Sequence, residues 1–167
     1  IIILNHYRQK YTKKLIRDSK FYNKTSIYDD FTEFLYEKFL LNEKIINKSE
    51  YIVTWVPSHF IKKIKRWYNW SQILAKNFSK ISWIKYIPNI LKKVKNTSQQ
   101  SDLNRQQRLV NLKWAYIFNN KFKNKINWKN IIILDDVVST WTTINELSFL
   151  LKDNHAKKII WLIIASD

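Results

Sequence analysis

Residues 134–146 read LDDVVSTWTTINE, and the reading of this stretch decides the fold. It continues the apolar run Ile131-Ile132-Ile133-Leu134. A β-branched run of this kind makes a strand buried on both faces, as in a parallel sheet. Asp135 and Asp136 follow it, and then the hydroxyls of Ser139, Thr140, Thr142 and Thr143. From 142 to 154, TTINELSFLLKDN places its apolar residues at helical spacing. A buried strand therefore passes through two acids into a helix N-terminus. Amides and hydroxyls at such a terminus bind phosphate. Two acids just upstream can accept hydrogen bonds from ribose hydroxyls or help hold Mg²⁺. The combination suits a phosphorylated ribose. The same residues also suit a plain strand end followed by a helix capped by Ser139 or Thr140. Spacing alone does not separate the two readings. Trp141 is out of place in the first of them, because a loop whose amides approach a phosphate calls for the smallest side chain.

Outward from this stretch, helices and strands alternate. Helical spacing runs over 7–20, with Tyr7, Tyr11, Leu15 and Ile16, and over 28–41, where Asp29 and Asp30 suit the first turn. YIVTWVP, 51–57, reads as a buried strand ended by Pro57, and 69–81 as a helix. YIPNILKKV holds a short strand, 97–112 a polar loop and helical turn, and AYIF, 115–118, another short strand. NNKFKNKIN is a charged, turn-like connection, and AKKIIWLIIAS, 156–166, a last buried strand. Alternation of this kind predicts an α/β domain with a mostly parallel sheet. Ligands of such sheets bind beyond the carboxyl ends of the strands, where LDDVVSTWTTINE lies.

Composition sets the outer bounds. A chain of 167 residues reads as one domain, 1–167, with no internal repeat or linker. No apolar run approaches a membrane span, no cleavable signal pattern is present, and there is no cysteine for disulfides or thiolate metal sites. A cytoplasmic location is the expectation. The first residue is Ile rather than Met, so a fragment or a processed front is expected as well. The formal charge of +17 attracts anionic ligands. It does not by itself call for nucleic acid: Lys outnumbers Arg 25 to 5, and Lys, Ile and Asn share A/T-rich codons. A direct DNA binder would also carry Arg-rich base-reading elements.

IIILDDVVSTWTT resembles the signature of type I phosphoribosyltransferases, an apolar strand, two acids, two apolar residues and a Thr-Thr-Gly-like loop. The rest of the chain, from about residue 7 to 166, is similar to the ComF family, phosphoribosyltransferase-like proteins associated with competence for DNA uptake. VPSH, 56–59, falls at the end of the second strand. KRWYNWSQILA, 65–75, resembles that family's Arg-Gly-Phe-Asn-Gln segment. TSQQSDLNRQQRLVNLKWAY, 97–116, resembles its Thr-x-x-Gln, Arg-x-x-Asn and Gly-Ala-Phe pattern, with Gln100, Arg108, Asn111 and Ala115-Tyr116 in place. The family's Cys-rich zinc knuckle has no counterpart here, so no zinc is expected.

The resemblance implies a three-layer fold, a mostly parallel central sheet flanked by helices, that binds 5-phosphoribosyl-1-pyrophosphate with Mg²⁺. It implies that Asp135 and Asp136 face the ribose hydroxyls and the metal. Ser139, Thr140, Trp141, Thr142 and Thr143 would hold the 5′-phosphate. The loop after Pro57, with Ser58, would meet pyrophosphate, and Arg66, beside Lys62, Lys63 and Lys65, would stabilise it as it leaves. For Lys62 a solvated face is the better reading, and Arg108 and Asn111 fit a structural clamp as well as ligands. His59 reads as a surface residue, and His6 and His155 carry no signal. The implied activity is phosphoribosyl transfer to an acceptor that no side chain identifies. Two further classes stay open: a non-catalytic accessory module of DNA uptake, and a direct DNA binder with steep salt dependence.

Glycine is absent and tryptophan appears eight times, although about 7% Gly is usual. Trp67, Trp114 and Trp141 stand where the family pattern has Gly. Trp128 and Trp161 sit where Gly is common, and Trp55, Trp70 and Trp83 lie in contexts that would accept it, although Trp70 departs from the family's Gln. An alternative genetic code, with UGA read as glycine in the source cell and as Trp in the written sequence, would make both counts one fact. Eight UGG codons would sink that reading. A genuine Trp-rich chain that has lost the function is the other possibility. With a real Trp at 141, strain or a blocked pocket is expected at the phosphate loop.

Overall fold

The computed structural model describes residues 1–6, 10–22, 26–44, 47–57, 69–94, 115–138 and 141–166. Five strands form one parallel sheet in the order β1-β7-β6-β2-β3: β1 (Ile2–His6), β7 (Lys158–Ser166), β6 (Asn130–Val138), β2 (Tyr51–Trp55) and β3 (Lys85–Tyr86). Two short strands, β4 (Leu91–Lys93) and β5 (Tyr116–Phe118), pair antiparallel as a separate ribbon. The α/β class and the mostly parallel sheet expected from the sequence are both present.

The centre of the sheet follows from its composition. Ile131, Ile132, Ile133 and Leu134 on β6 are fully buried, and so are Leu162, Ile163 and Ile164 on β7. Each such side chain stabilises the fold by roughly 1.5–3 kcal/mol relative to exposure. Alternate residues serve two separate cores. Ile132 and Leu134 pack with α1 (Lys10–Tyr22), α2 (Ser26–Asn42) and α3 (Trp70–Ser82), through Ile16, Tyr28, Leu35, Phe39, Leu74 and Phe78. Ile131 and Ile133 pack with α5 (Trp141–Asp153), the β4–β5 ribbon and Ile126, which closes the short helix α4 (Lys123–Ile126). This is the three-layer arrangement the resemblance implied.

Three elements differ from expectation. β1 was not anticipated, although IIIL is a strand-forming run; it adds to the sheet beside β7, pairing Ile2 with Leu162. The connection 119–127 is not a plain turn. Asn119 accepts a hydrogen bond from the Lys121 amide and starts a 3-10 turn at Asn120–Phe122, which runs on into α4. YIPNILKKV holds two strands on different sheets, β3 and β4, separated by a turn at Pro88-Asn89. The loop and helical turn expected at 97–112 lie outside the described residues.

Candidate functional site

Connectivity locates the crevice. From β2 the chain passes through α3 to β3 on one side; from β6 it passes through α5 to β7 on the other. Helices α3 and α5 lie on opposite faces, since they belong to the two separate cores. The order of strands therefore reverses between β2 and β6. In open α/β sheets ligands bind in the crevice outside the carboxyl ends of the strands at such a switch point. The last bond joining the two strand ends runs from the Val56 amide to the Leu134 carbonyl, 3.2 Å. Directly beyond it stand buried Pro57 on one side and Asp135 on the other.

β6 continues past that bond, paired with β7 alone, through Asp135 and Asp136 to Val138. Asp135 is 8% exposed. Its Oδ1 accepts from the Ser71 hydroxyl at 2.7 Å and from the Asp136 amide at 2.9 Å. Ser71 sits in the first turn of α3, which Asn69 caps by accepting from the Gln72 amide. The start of α3 thus holds one oxygen of the buried acid in a fixed direction. Asp136 is half-buried, and its Oδ1 accepts from the Val137 amide at 2.9 Å.

Two tyrosines flank the acids from the two cores. Tyr28 of α2 lies stacked on Trp70, ring centroids 4.7 Å apart. Burial raises its hydroxyl pKa well above the ordinary tyrosine value, and the charge of Asp136 adds to the effect. Tyr116 of β5 is likewise pushed up, by burial first and then by the charges of Asp135 and Glu146, while a hydrogen bond with Thr143 works the other way. Both hydroxyls stay neutral at physiological pH. Glu146 of α5 accepts from the Ala115 and Tyr116 amides at 3.0 and 3.3 Å and so ties the ribbon to the helix that follows the acids.

Of the residues singled out by sequence, Asp135, Asp136, Pro57, Trp141, Thr142 and Thr143 gather around this strand end. Thr142 and Thr143 are half-buried in the first turn of α5. Ser58, Ser139, Thr140 and Arg66, with Lys62, Lys63 and Lys65, lie outside the described residues, as do His59, Gln100, Arg108 and Asn111. Trp141 is 55% exposed and opens α5 without a positive φ, so the strain expected there is not at that residue. Sequence reasoning missed Ser71, Tyr28, Tyr116 and Glu146 as neighbours of the acids. A small hydroxyl one residue into a helix after a capping Asn was the available signal for Ser71.

The donor set suits Mg²⁺. Among the described residues no group of three or more His, Cys, Asp or Glu could hold a metal. Mg²⁺ needs no such cage, since it is commonly held by one or two carboxylates together with substrate oxygens and water. Two adjacent carboxylates at the mouth of a crevice meet that need.

Comparison with known proteins gives the same fold. No family model matches the chain. It is similar to Competence protein F of Haemophilus influenzae, 33% identical over 107 residues, which is 64% of this chain and 46% of that protein. The chain thus spans about half the length of the curated relative it matches. Among solved structures, it resembles the allosteric regulatory enzyme of purine biosynthesis, with a TM-score of 0.53 and 17% identity over 83% of this chain and 25% of that one. Glutamine phosphoribosylpyrophosphate amidotransferase from B. subtilis gives a TM-score of 0.52 and 13% identity, over 83% of this chain and 26% of that one. The chain shares the fold of these two structures, a mostly parallel sheet flanked by helices, and its likeness to Competence protein F agrees with the resemblance to the ComF family.

Proposed function

We propose that this protein binds 5-phosphoribosyl-1-pyrophosphate with Mg²⁺ in the crevice between β2 and β6, and that it serves in DNA uptake as a ComF-type protein. The observation that carries the reading is the position of Asp135 and Asp136. They extend β6 beyond its bond to β2, at the switch point, a few residues before α5. A ribose placed there meets two carboxylates that accept from its hydroxyls. Its 5′-phosphate meets the N-terminus of α5, where Thr142 and Thr143 add hydroxyl donors to the helix amides. Ser71 keeps one oxygen of Asp135 turned inward. Mg²⁺, when bound, supplies charge neutralisation for the pyrophosphate. On the ComF resemblance, Ser58 and Arg66 meet the pyrophosphate, and Ser139 and Thr140 complete the phosphate loop. The likeness to Competence protein F supports the role in uptake.

Calorimetric titration with Mg²⁺ and the ligand tests this in the wild-type chain, in Trp141→Gly and in the double variant Trp141→Gly/Asp135→Asn. Trp141 stands half-exposed beside the phosphate position, so removing it should tighten binding by about tenfold or more, and Asp135→Asn should cancel the gain. Equal affinity with and without Trp141 refutes the steric argument, and no binding by either chain overturns the reading. Pyrophosphate release with a panel of bases and amines marks a transferase. Binding without release marks a module that uses the fold without turnover.

A further inference from the structure

Four described residues have a positive φ: Trp83 at 59°, Asn89 at 61°, Trp128 at 55° and His155 at 67°. Asn and His are enriched in that region; a bulky residue there is an outlier. The cause is steric, since any Cβ crowds the following carbonyl in the left-handed conformation. Such strain persists where packing of the side chain compensates. Neither tryptophan has that compensation: Trp83 is 82% exposed and Trp128 is 71% exposed.

The backbone needs the conformation at both places. Trp83 ends α3 at φ 59° and ψ 24°, the left-handed cap that glycine usually supplies. The chain then turns at once into buried Ile84, whose carbonyl accepts from the Ser79 hydroxyl at 2.6 Å. Trp128 turns the chain between α4 and β6. Its amide donates to the His155 carbonyl at 2.9 Å, and the next amide, of Lys129, donates to Ile126 at 3.0 Å. These bonds lock the turn, whatever side chain it carries. Two helix-to-strand turns therefore require a glycine-like residue in a chain of 167 residues that has none.

We propose that positions 83 and 128 are glycine in the protein as its own cell makes it, with UGA codons decoded there as glycine. Glycine keeps every backbone bond of both turns and removes the crowding. The same decoding at 141 would place glycine beside Asp135 and Asp136; only this extension rests on the phosphoribosyl reading.

Peptide mass spectrometry of the protein purified from its source cells tests it directly, on the peptides that span 83 and 128. Glycine at both is expected, and tryptophan at either overturns the proposal. A second measurement uses the recombinant chain. Trp83→Gly and Trp128→Gly should each raise the urea midpoint, whereas Trp83→Ala, which keeps a Cβ, should leave it unchanged. A midpoint that stays level or falls in both glycine variants overturns the conformational argument. Neither measurement reads ligand binding, so each can fail while the phosphoribosyl reading stands.

Discussion

Trp161 and Trp83 are the same side chain in opposite settings. Trp161 lies in β7, 2% exposed, with its indole Nε1 donating to the Ser148 hydroxyl at 3.0 Å. Its neighbours are the α5 side of the sheet, and its backbone is extended like any strand residue. Trp83 projects into solvent from a left-handed cap and has no comparable surroundings. Trp55 and Trp70 belong with Trp161, at 3% and 6% exposure; Trp128 and Trp141 belong with Trp83. The difference shows that residue type and fitness for a place are separate matters. Burial recommends a large ring at 161, and backbone conformation argues against any Cβ at 83.

The comparison can be broken by substitution. Trp161→Ala should lose about 3–5 kcal/mol of unfolding free energy, the usual range for emptying a buried aromatic site. Trp83→Ala should change it by no more than about 0.5 kcal/mol. Urea unfolding of the two variants reads both, and similar losses would erase the distinction between interior and rim.

A smaller effect comes from the buried tyrosines near the acids. Burial raises the Tyr28 and Tyr116 hydroxyls above the unfolded value of about 10. The folded chain then holds those protons longer than the unfolded chain does. The resulting stability is complete below pH of about 10 and is lost as the pH rises beyond it. Urea midpoints should fall between pH 9 and 11 (roughly, from the reference tyrosine pKa), and Tyr116→Phe should make the fall shallower.

The smallest effect belongs to the surface. Lys157 and Glu50 meet at 3.2 Å with both side chains about half exposed, so Lys157→Ala should cost less than about 1 kcal/mol and less still in high salt. A larger loss would show that the rim contributes more than its exposure implies.

Much of this was legible in the sequence because it was written in periodicity. The apolar runs at 131–134 and 159–164 read as buried central strands, and the acids after Leu134 then fall at a carboxyl end. Partners distant in the chain were not legible. Ser71 meets Asp135 across 64 positions, and nothing local marks either residue as the other's partner. The β4–β5 ribbon joins Leu91 to Phe118, a pairing decided by the core beneath it rather than by either segment's propensity. β1 was hidden for a similar reason: IIIL is an apolar run with no neighbour in sequence to pair with. The strain at Trp83 and Trp128 was hidden too, because composition announces a missing glycine without saying which turns need it.

The pairing of β1 with β7 has a consequence for the order of events in folding. Ile2 finds its partner in Leu162, so β1 stays without its place until β7, far along the chain, has been made. Contacts of such separation are slow to form, and an apolar strand kept waiting is prone to wrong pairing. The four-strand sheet β7-β6-β2-β3 can assemble around its two cores beforehand. β1 would then be the last piece added, along an edge already built.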